Sequence, residues 1–247
     1  MEIQSAARTH VGRRANNEDA FVHAPRLGLF AVADGMGGYE GGEVASRITV
    51  ETLEGFVRRA LTDHEATWPF GYDRALGLTE NLLDVAVRLA DAEVFQRRTG
   101  RLASMGSTVA ALVLDGAQAI MAHVGDSRIY RLRGGVLEAL TRDHSLYFDL
   151  QRSGYDLPPL EDFPHKNVIT RAVGLRPGQR PPLRTEALLP GDTFLLCTDG
   201  LMDGVPDPEL QRLLALPTAS DAAEAMVEEA FAQGSRDNIT VVVVKVA

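Results

Sequence analysis

Apolar positions along the chain fall into short runs of strand length and into longer stripes of helical period. The run 27–33 ends at Asp34-Gly35. The run 108–114 ends at Asp115-Gly116, a two-residue hairpin signal, and Gln118–Val124 follows it. The run 127–132 passes through Gly134-Gly135 into 136–140, a second predicted hairpin. A short apolar strand is predicted at 193–198 and a last one at Ile239–Val246. The last is almost unbroken valine, the composition expected of a strand covered on both faces.

Helical spacing runs through 42–61, on Val44, Ile48, Leu53, Phe56 and Val57. It recurs in 80–98, where Leu82, Leu83, Ala86, Val87, Ala90 and Val94 share one stripe. An alanine-rich third helix is predicted at Ala219–Ala232. These stripes read as core faces. Segments 62–76 and 154–166, rich in Pro, Gly and aromatic residues, read as surface excursions. Strands in adjacent hairpins favour antiparallel sheets with helices packed outside them. No Pro/Gly/Ser linker divides the chain, so one α+β domain over residues 1–247 is expected.

Composition removes some functions. The chain has 247 residues, 34 Asp+Glu against 25 Lys+Arg, and a formal net charge of −9. That excess disfavours nucleic acid as a partner, which a basic stripe would grip. Cys197 is the sole cysteine, which excludes an internal disulfide and a Cys-rich metal site. The N-terminus shows no apolar leader, and no run approaches the ~20 residues of a membrane span. A soluble, cytoplasmic chain with no membrane partner is the expectation.

The acids are informative by position. Asp34, Asp126 and Asp199 each follow an apolar run, Asp237 precedes one, and Glu18-Asp19 sits just before the first. Asp and Gly both favour turns, and at any one position that suffices. Several of these sites, however, lack the second strand that a hairpin needs. If the strands lie side by side, their ends bring these carboxylates together. They would repel one another unless protonated or balanced by cations. Carboxylate, carbonyl and water ligands suit hard ions such as Mg²⁺ and Mn²⁺, and Gly35 lets its carbonyl come close.

Eight segments occur in a fixed order: 14–19 (RANNED), 34–38 (DGMGG), 105–108 (MGST), 125–128 (GDSR), 143–145 (DHS), 167–174 (NVITRAVG), 198–201 (TDGL) and 236–240 (RDNIT). In this order they resemble the metal-dependent protein serine/threonine phosphatases, the PPM or type 2C family, and in particular its small bacterial members. The resemblance implies a central sandwich of two antiparallel β-sheets flanked by pairs of helices. It implies two Mn²⁺ or Mg²⁺ ions at one end and a water between them that attacks phosphoserine or phosphothreonine. By position, Asp34 resembles the carboxylate that bridges both ions, and Gly35 lends a carbonyl. Asp199 and Asp237 complete the other ion's ligands. Glu18 and Asp19 resemble outer ligands acting through water. Asp126 resembles the residue that, with Asp199, holds a third and weaker ion. Arg14 resembles the arginine that grips phosphate, a task suited to its planar fork. The implied partners are phosphorylated proteins, substrates of a eukaryotic-like Ser/Thr kinase, with the phosphatase a monomer.

One position departs from many eukaryotic members. Met36 stands where they carry a histidine proposed as general acid, and Met donates no proton. His144 is the first alternative donor to consider, beside its reading as a structural histidine. Residues 144–166 match the family's flap, whose Tyr147, Phe148, Tyr155 and Phe163 either contact the phosphopeptide or pack the flap. Other hydrolases fit poorly. Ile129 spoils a G-x-S-x-G elbow at Gly125, and Asp203 stands where a cysteine phosphatase built on Cys197 would need arginine. A non-catalytic scaffold and a phosphatase of small phosphoesters remain as competing readings.

Overall fold

The computed structural model describes residues 1–38, 40–63 and 67–247. The strands are β1 (Ile3–His10), β2 (Asp19–Ala24), β3 (Leu29–Met36), β4 (Gly106–Ser107), β5 (Val109–Asp115), β6 (Gln118–Val124), β7 (Arg128–Arg133), β8 (Val136–Ala139), β9 (Leu183–Ala187), β10 (Thr193–Cys197) and β11 (Ile239–Val246). The helices are α1 (Gly41–Thr62), α2 (Leu78–Gln96), α3 (Leu146–Arg152), α4 (Asp199–Met202), α5 (Asp207–Leu214) and α6 (Ala219–Ala232). One sheet has the order β1-β11-β10-β7-β8, the other β2-β3-β5-β6-β9, and β4 pairs with β3 beyond its main path. The architecture is the α+β sandwich expected.

Side-chain alternation along the central strands builds three cores. In β3, Phe30 and Val32 point between the sheets, while Leu29, Ala31 and Ala33 point to α1 and α2. In β11, Val242 and Val244 fill the sandwich, while Val241 and Val243 meet α5 and α6. Both faces of these strands are therefore dry, which explains their unbroken apolar runs. Both predicted hairpins form, with Asp115 opposite Gln118 and Arg133 opposite Val136.

Three expectations need correction. The strand at 27–33 does not stop before the acid: β3 continues through Asp34 and Gly35 to Met36 because β2 and β4 supply backbone partners on either side. Asp19 is no longer outside a strand; it opens β2 and stands opposite Asp34. The excursion at 62–76 is only partly superficial, since Trp68 and Phe70 pack onto the α1–α2 core. Residues 64–66 of that stretch lie outside the described residues.

Candidate active site

Strand direction gathers the acids. β3 and β6 end, and β2 and β11 begin, at the same edge of the sandwich, and β10 ends there too. Asp34 lies on β3, Asp19 on β2, Asp199 just beyond β10 and Asp237 just before β11. Asp126 sits in the link that carries the chain from β6 in one sheet to β7 in the other. Backbone, hydroxyl and amide contacts hold Asp34, Asp19 and the neighbouring Glu18 in place. The Asp34 amide donates to Thr108 Oγ1 at 2.8 Å, and the Thr108 amide donates to the Asp34 carbonyl at 2.8 Å. Thr198 Oγ1 donates to Asp19 Oδ2 at 2.8 Å. Asn238 accepts from the Glu18 amide at 2.7 Å and donates through Nδ2 to the carbonyls of Val11 and Asn16.

Gly35 is required here by crowding. A Cβ at Gly35 would collide with the Gly42 carbonyl at the start of α1 and with the Glu18 carbonyl. The backbone carbonyls of this corner are thus brought closer than any side chain allows.

The electrostatics show one sign of charge in excess. Burial, and then the charges of Asp19, Asp199, Asp126 and Asp237, push Asp34 well above the ordinary carboxylate range. Burial, then Asp126 and Asp237, push Asp199 up to about 8. Burial also lifts Asp19 and Asp126 to about 6, helped by Asp237 in both cases. Three carboxylate oxygens, Asp19 Oδ1, Asp126 Oδ1 and Asp199 Oδ1, are buried without a hydrogen-bond partner. Buried anionic oxygens left unpaired are costly, and a divalent cation is the partner that answers all three. This donor set, carboxylates with nearby carbonyl oxygen, fits Mg²⁺ or Mn²⁺.

Among the described residues, no three His, Cys, Asp or Glu side chains close into a cage by themselves. One reason is that Asp237 Oδ2 is taken by Arg14 Nη2 at 2.6 Å. The same openness suits ions that keep several water ligands.

The acids divide two clefts. One, of about 290 Å³, is lined by Arg14, Asp34, Gly35, Met36, Ile169 and Asp237. The other, of about 330 Å³, is lined by Asp126, Asp199, Asp203, Lys166 at the end of the flap and Asn167 just after it. The Arg14 side chain stays 55% exposed and reaches the first cleft from its rim.

A family model described as Protein phosphatase 2C matches residues 6–237. The chain belongs to the protein phosphatase 2C family. It is accordingly a metal-dependent phosphoric monoester hydrolase acting on phosphoprotein. It is 34% identical to the serine/threonine phosphatase stp of Listeria monocytogenes, over 96% of this chain and 94% of that relative. The crystal structure of the Mycobacterium tuberculosis serine/threonine phosphatase PstP is similar at a TM-score of 0.86 and 33% identity, covering 99% of this chain and 98% of that one. A structure of the PstP catalytic domain in complex with two manganese ions has a TM-score of 0.83 and 34% identity, covering 99% and 98%.

Within this 2C-family chain, Arg14, Glu18, Asp19, Asp34, Gly35, Asp126, Asp199 and Asp237 all come to one end. The sequence reading missed the residues that hold them. Thr108, Thr198 and Asn238 stood inside the ordered segments without a role. Their signal was a hydroxyl or amide next to an acid at a strand end, where an amide needs a cap. His144 reads as structural. Its Nδ1 accepts the Gly125 amide at 3.1 Å, and its ring stacks on His123 at 4.5 Å. Burial, then His123 and Arg171, hold its pKa down to about 3, so the ring is neutral near pH 7 and does not serve as a protonated general acid. Three of the four flap aromatics pack the flap: Tyr147 is buried, meets Phe148 and Phe163 edge-on, and donates to the Pro158 carbonyl. Tyr155 is exposed. Cys197 is buried and its thiol is pushed up to about 12, which fits a core residue.

Proposed function

We propose that this chain hydrolyses phosphoserine and phosphothreonine on proteins with two divalent ions, Mn²⁺ or Mg²⁺, and so reverses the work of a Ser/Thr kinase. The observation that carries the reading is the set of buried, unpartnered carboxylate oxygens on Asp19, Asp126 and Asp199, beside a half-exposed guanidinium on Arg14. Asp34, the Gly35 carbonyl, Asp199 and Asp237 would hold the two ions. Glu18 and Asp19 would act through water, and Asp126 with Asp199 would take a third. When bound, such ions lower the pKa of water and offset charge on the phosphoryl group.

The chain's own residues supply the rest. Arg14 presents two N–H groups to phosphate oxygens, and Asp237 aims it by holding Nη2. Neither of the two candidate nucleophiles is placed to attack: Cys197 is buried with a raised pKa, and the buried Ser127 hydroxyl is tied to Thr108 Oγ1 at 2.7 Å. Met36 and Ile169 give the catalytic cleft an apolar wall. Met36 has no proton to donate and the His144 ring is neutral, so neither side chain serves as a general acid for the leaving oxygen.

The test is release of phosphate from a phosphothreonine peptide by the Mn²⁺-loaded protein, with Asp34→Ala alongside. Turnover that Asp34→Ala abolishes is the expected result. No turnover, or full turnover in the variant, would overturn the reading. Turnover of p-nitrophenyl phosphate but not of phosphopeptides would favour small phosphoesters as substrates instead.

A further inference from the structure

Beyond the flap's return segment lies a third cleft, of about 520 Å³, lined by Asp149, Thr170, Arg171, Arg176, Gln179 and Arg180. Its charge balance is opposite to that of the acid end. Among the described residues, Arg171 and Arg176 have no carboxylate partner. Arg180 pairs with Asp73 at 2.6 Å. Arg180 also approaches Asp84, itself paired with Arg88, at 3.9 Å, and two further carboxylates nearby are already engaged. Asp149 accepts from Arg152 at 3.1 Å, and the buried Asp91 accepts the amides of Gly174 at 2.7 Å and Gly178 at 3.1 Å.

Three donor groups at or beside this cleft lack an acceptor: Arg171 Nη1 and the Thr170 hydroxyl of its lining, and Nε2 of His144, which adjoins the cleft through Arg171. His144 Nδ1 accepts the Gly125 amide, so the neutral ring must carry its proton on Nε2. Nε2 faces Arg171 Nη1 at 3.4 Å, and Arg171 has only N–H groups to offer. The two nitrogens therefore meet donor to donor. The Thr170 hydroxyl is buried and without a partner. One acceptor with several lone pairs and a negative charge, set between these groups, would satisfy all of them.

We propose that this cleft is a second oxyanion site, built by His144, Thr170, Arg171 and Arg176 for a phosphate or phosphate monoester dianion. It is distinct from the catalytic cleft but adjoins it. Ile169 lines the catalytic cleft and Thr170 and Arg171 line this one, so a single extended segment walls both. Two sources of the ligand share this chemistry: free inorganic phosphate, and a second phosphoryl group on the substrate. Occupancy would also be felt at the acid end. His144 grips the Gly125 amide, which precedes Asp126, and its own amide donates to the Gly125 carbonyl at 2.9 Å.

The test titrates inorganic phosphate into the Mg²⁺-loaded full chain and follows the Arg171 Nε–H and His144 Nε2–H resonances by NMR. A saturable shift is expected, with a midpoint at least about tenfold weaker in Arg176→Ala and kept in Arg14→Ala. Arg176 is exposed, so this variant does not depend on the fold tolerating a buried change. An absent shift, an unchanged midpoint in Arg176→Ala, or a shift lost in Arg14→Ala would each overturn the proposal. The two sources separate in kinetics. If the site takes a substrate phosphoryl group, Arg176→Ala lowers kcat/KM for peptides with two phosphates spaced two to six residues apart and spares singly phosphorylated ones. If it takes free phosphate, both peptides respond alike and added phosphate alters their turnover only in the wild type. The binding measurement reads no turnover, so its failure is separable from failure of the phosphatase reading.

Discussion

The sandwich carries two dense clusters of charge, and they are built on opposite plans. At one edge, Arg131 of β7 and Arg184 of β9 alternate with Glu138 of β8 and Glu186 of β9, at 2.6 to 3.0 Å. This clasp ties one sheet to the other with equal numbers of each sign. Hydrogen bonds from Arg184, seconded by Arg131, hold both glutamates below their usual range. At the end of the sandwich, Asp19, Asp34, Asp126 and Asp199 are driven the other way. The same residue chemistry is thus complete in one place and incomplete in the other. Only the incomplete cluster stores an affinity for something outside the chain.

The sharpest way to break this contrast is Asp199→Asn. If Asp199 holds a catalytic ion as proposed, its loss removes several kcal/mol of transition-state stabilisation, so phosphopeptide turnover should fall by roughly 10³-fold. The same variant should melt higher than the wild type in EDTA, because one of the mutually repelling acids is gone. A variant that melts lower in EDTA would show that repulsion is not the controlling term.

Next in size is the effect of the cation. Binding at 100 times Kd stabilises by about 2.7 kcal/mol. For a chain of this length that is a rise of roughly 5–10 °C in Tm between EDTA and saturating Mn²⁺. Equal melting curves would mean that the acids do not hold the ion in the folded state.

pH should act in the same direction as EDTA. The raised acids bind protons in the folded chain that the unfolded chain has already released, so they stabilise the metal-free protein at low pH. That contribution is complete below about pH 4 and is lost as pH rises through about 6 for Asp19 and Asp126 and about 8 for Asp199. The EDTA-treated protein should therefore lose thermal stability from pH 5 to pH 8, and Mn²⁺ should flatten the curve. A flat curve in EDTA would contradict the raised pKa values.

The clasp predicts the smallest effect and the opposite sign. Glu138 and Glu186 stabilise above about pH 4, and that contribution is lost as pH falls through their lowered values. Glu138 is 43% exposed, so Glu138→Gln should cost only roughly 0.5–1 kcal/mol and less at high salt. Denaturant melts at low and high salt would measure it. A cost that does not shrink with salt would mean that the clasp acts through packing.

The acid end was legible in the sequence because the acids flank apolar runs, Asp34, Asp126 and Asp199 after them and Asp237 before one, and such runs report themselves locally. What holds the acids was less legible. β1 reads Ile3-Gln-Ser-Ala-Ala-Arg-Thr-His10, with no apolar run, and it is a strand because β11 offers it a backbone partner more than 200 positions away. β9, with one flank on β6, and the short amphipathic α5 were missed for similar reasons. β3 extends past Asp34 only because β2 and β4 arrive from elsewhere in the chain. Edge strands and strand ends owe their structure to distant partners, and one-dimensional pattern does not see them.

The unbroken valines of β11 carry a further consequence. Across Val241–Val244, where both faces are apolar, sliding by one residue trades Val for Val in either core, so these four side chains set no phase along the strand. The phase is set by polar groups at its two ends, Lys245 at one, which donates to the Leu214 carbonyl at 2.7 Å, and a denser group at the other. There, Thr240 Oγ1 meets Thr9 Oγ1 at 2.8 Å, the Thr240 amide donates to Thr198 Oγ1 at 3.1 Å, and Asn238 locks to the loop before β2. These are the same few residues that place Asp237 and Asp19. A slip of β11 would thus unfold nothing at first, yet it would move Asp237 by about 3.4 Å and dismantle the site. In this chain the polar end groups keep time for the apolar strand.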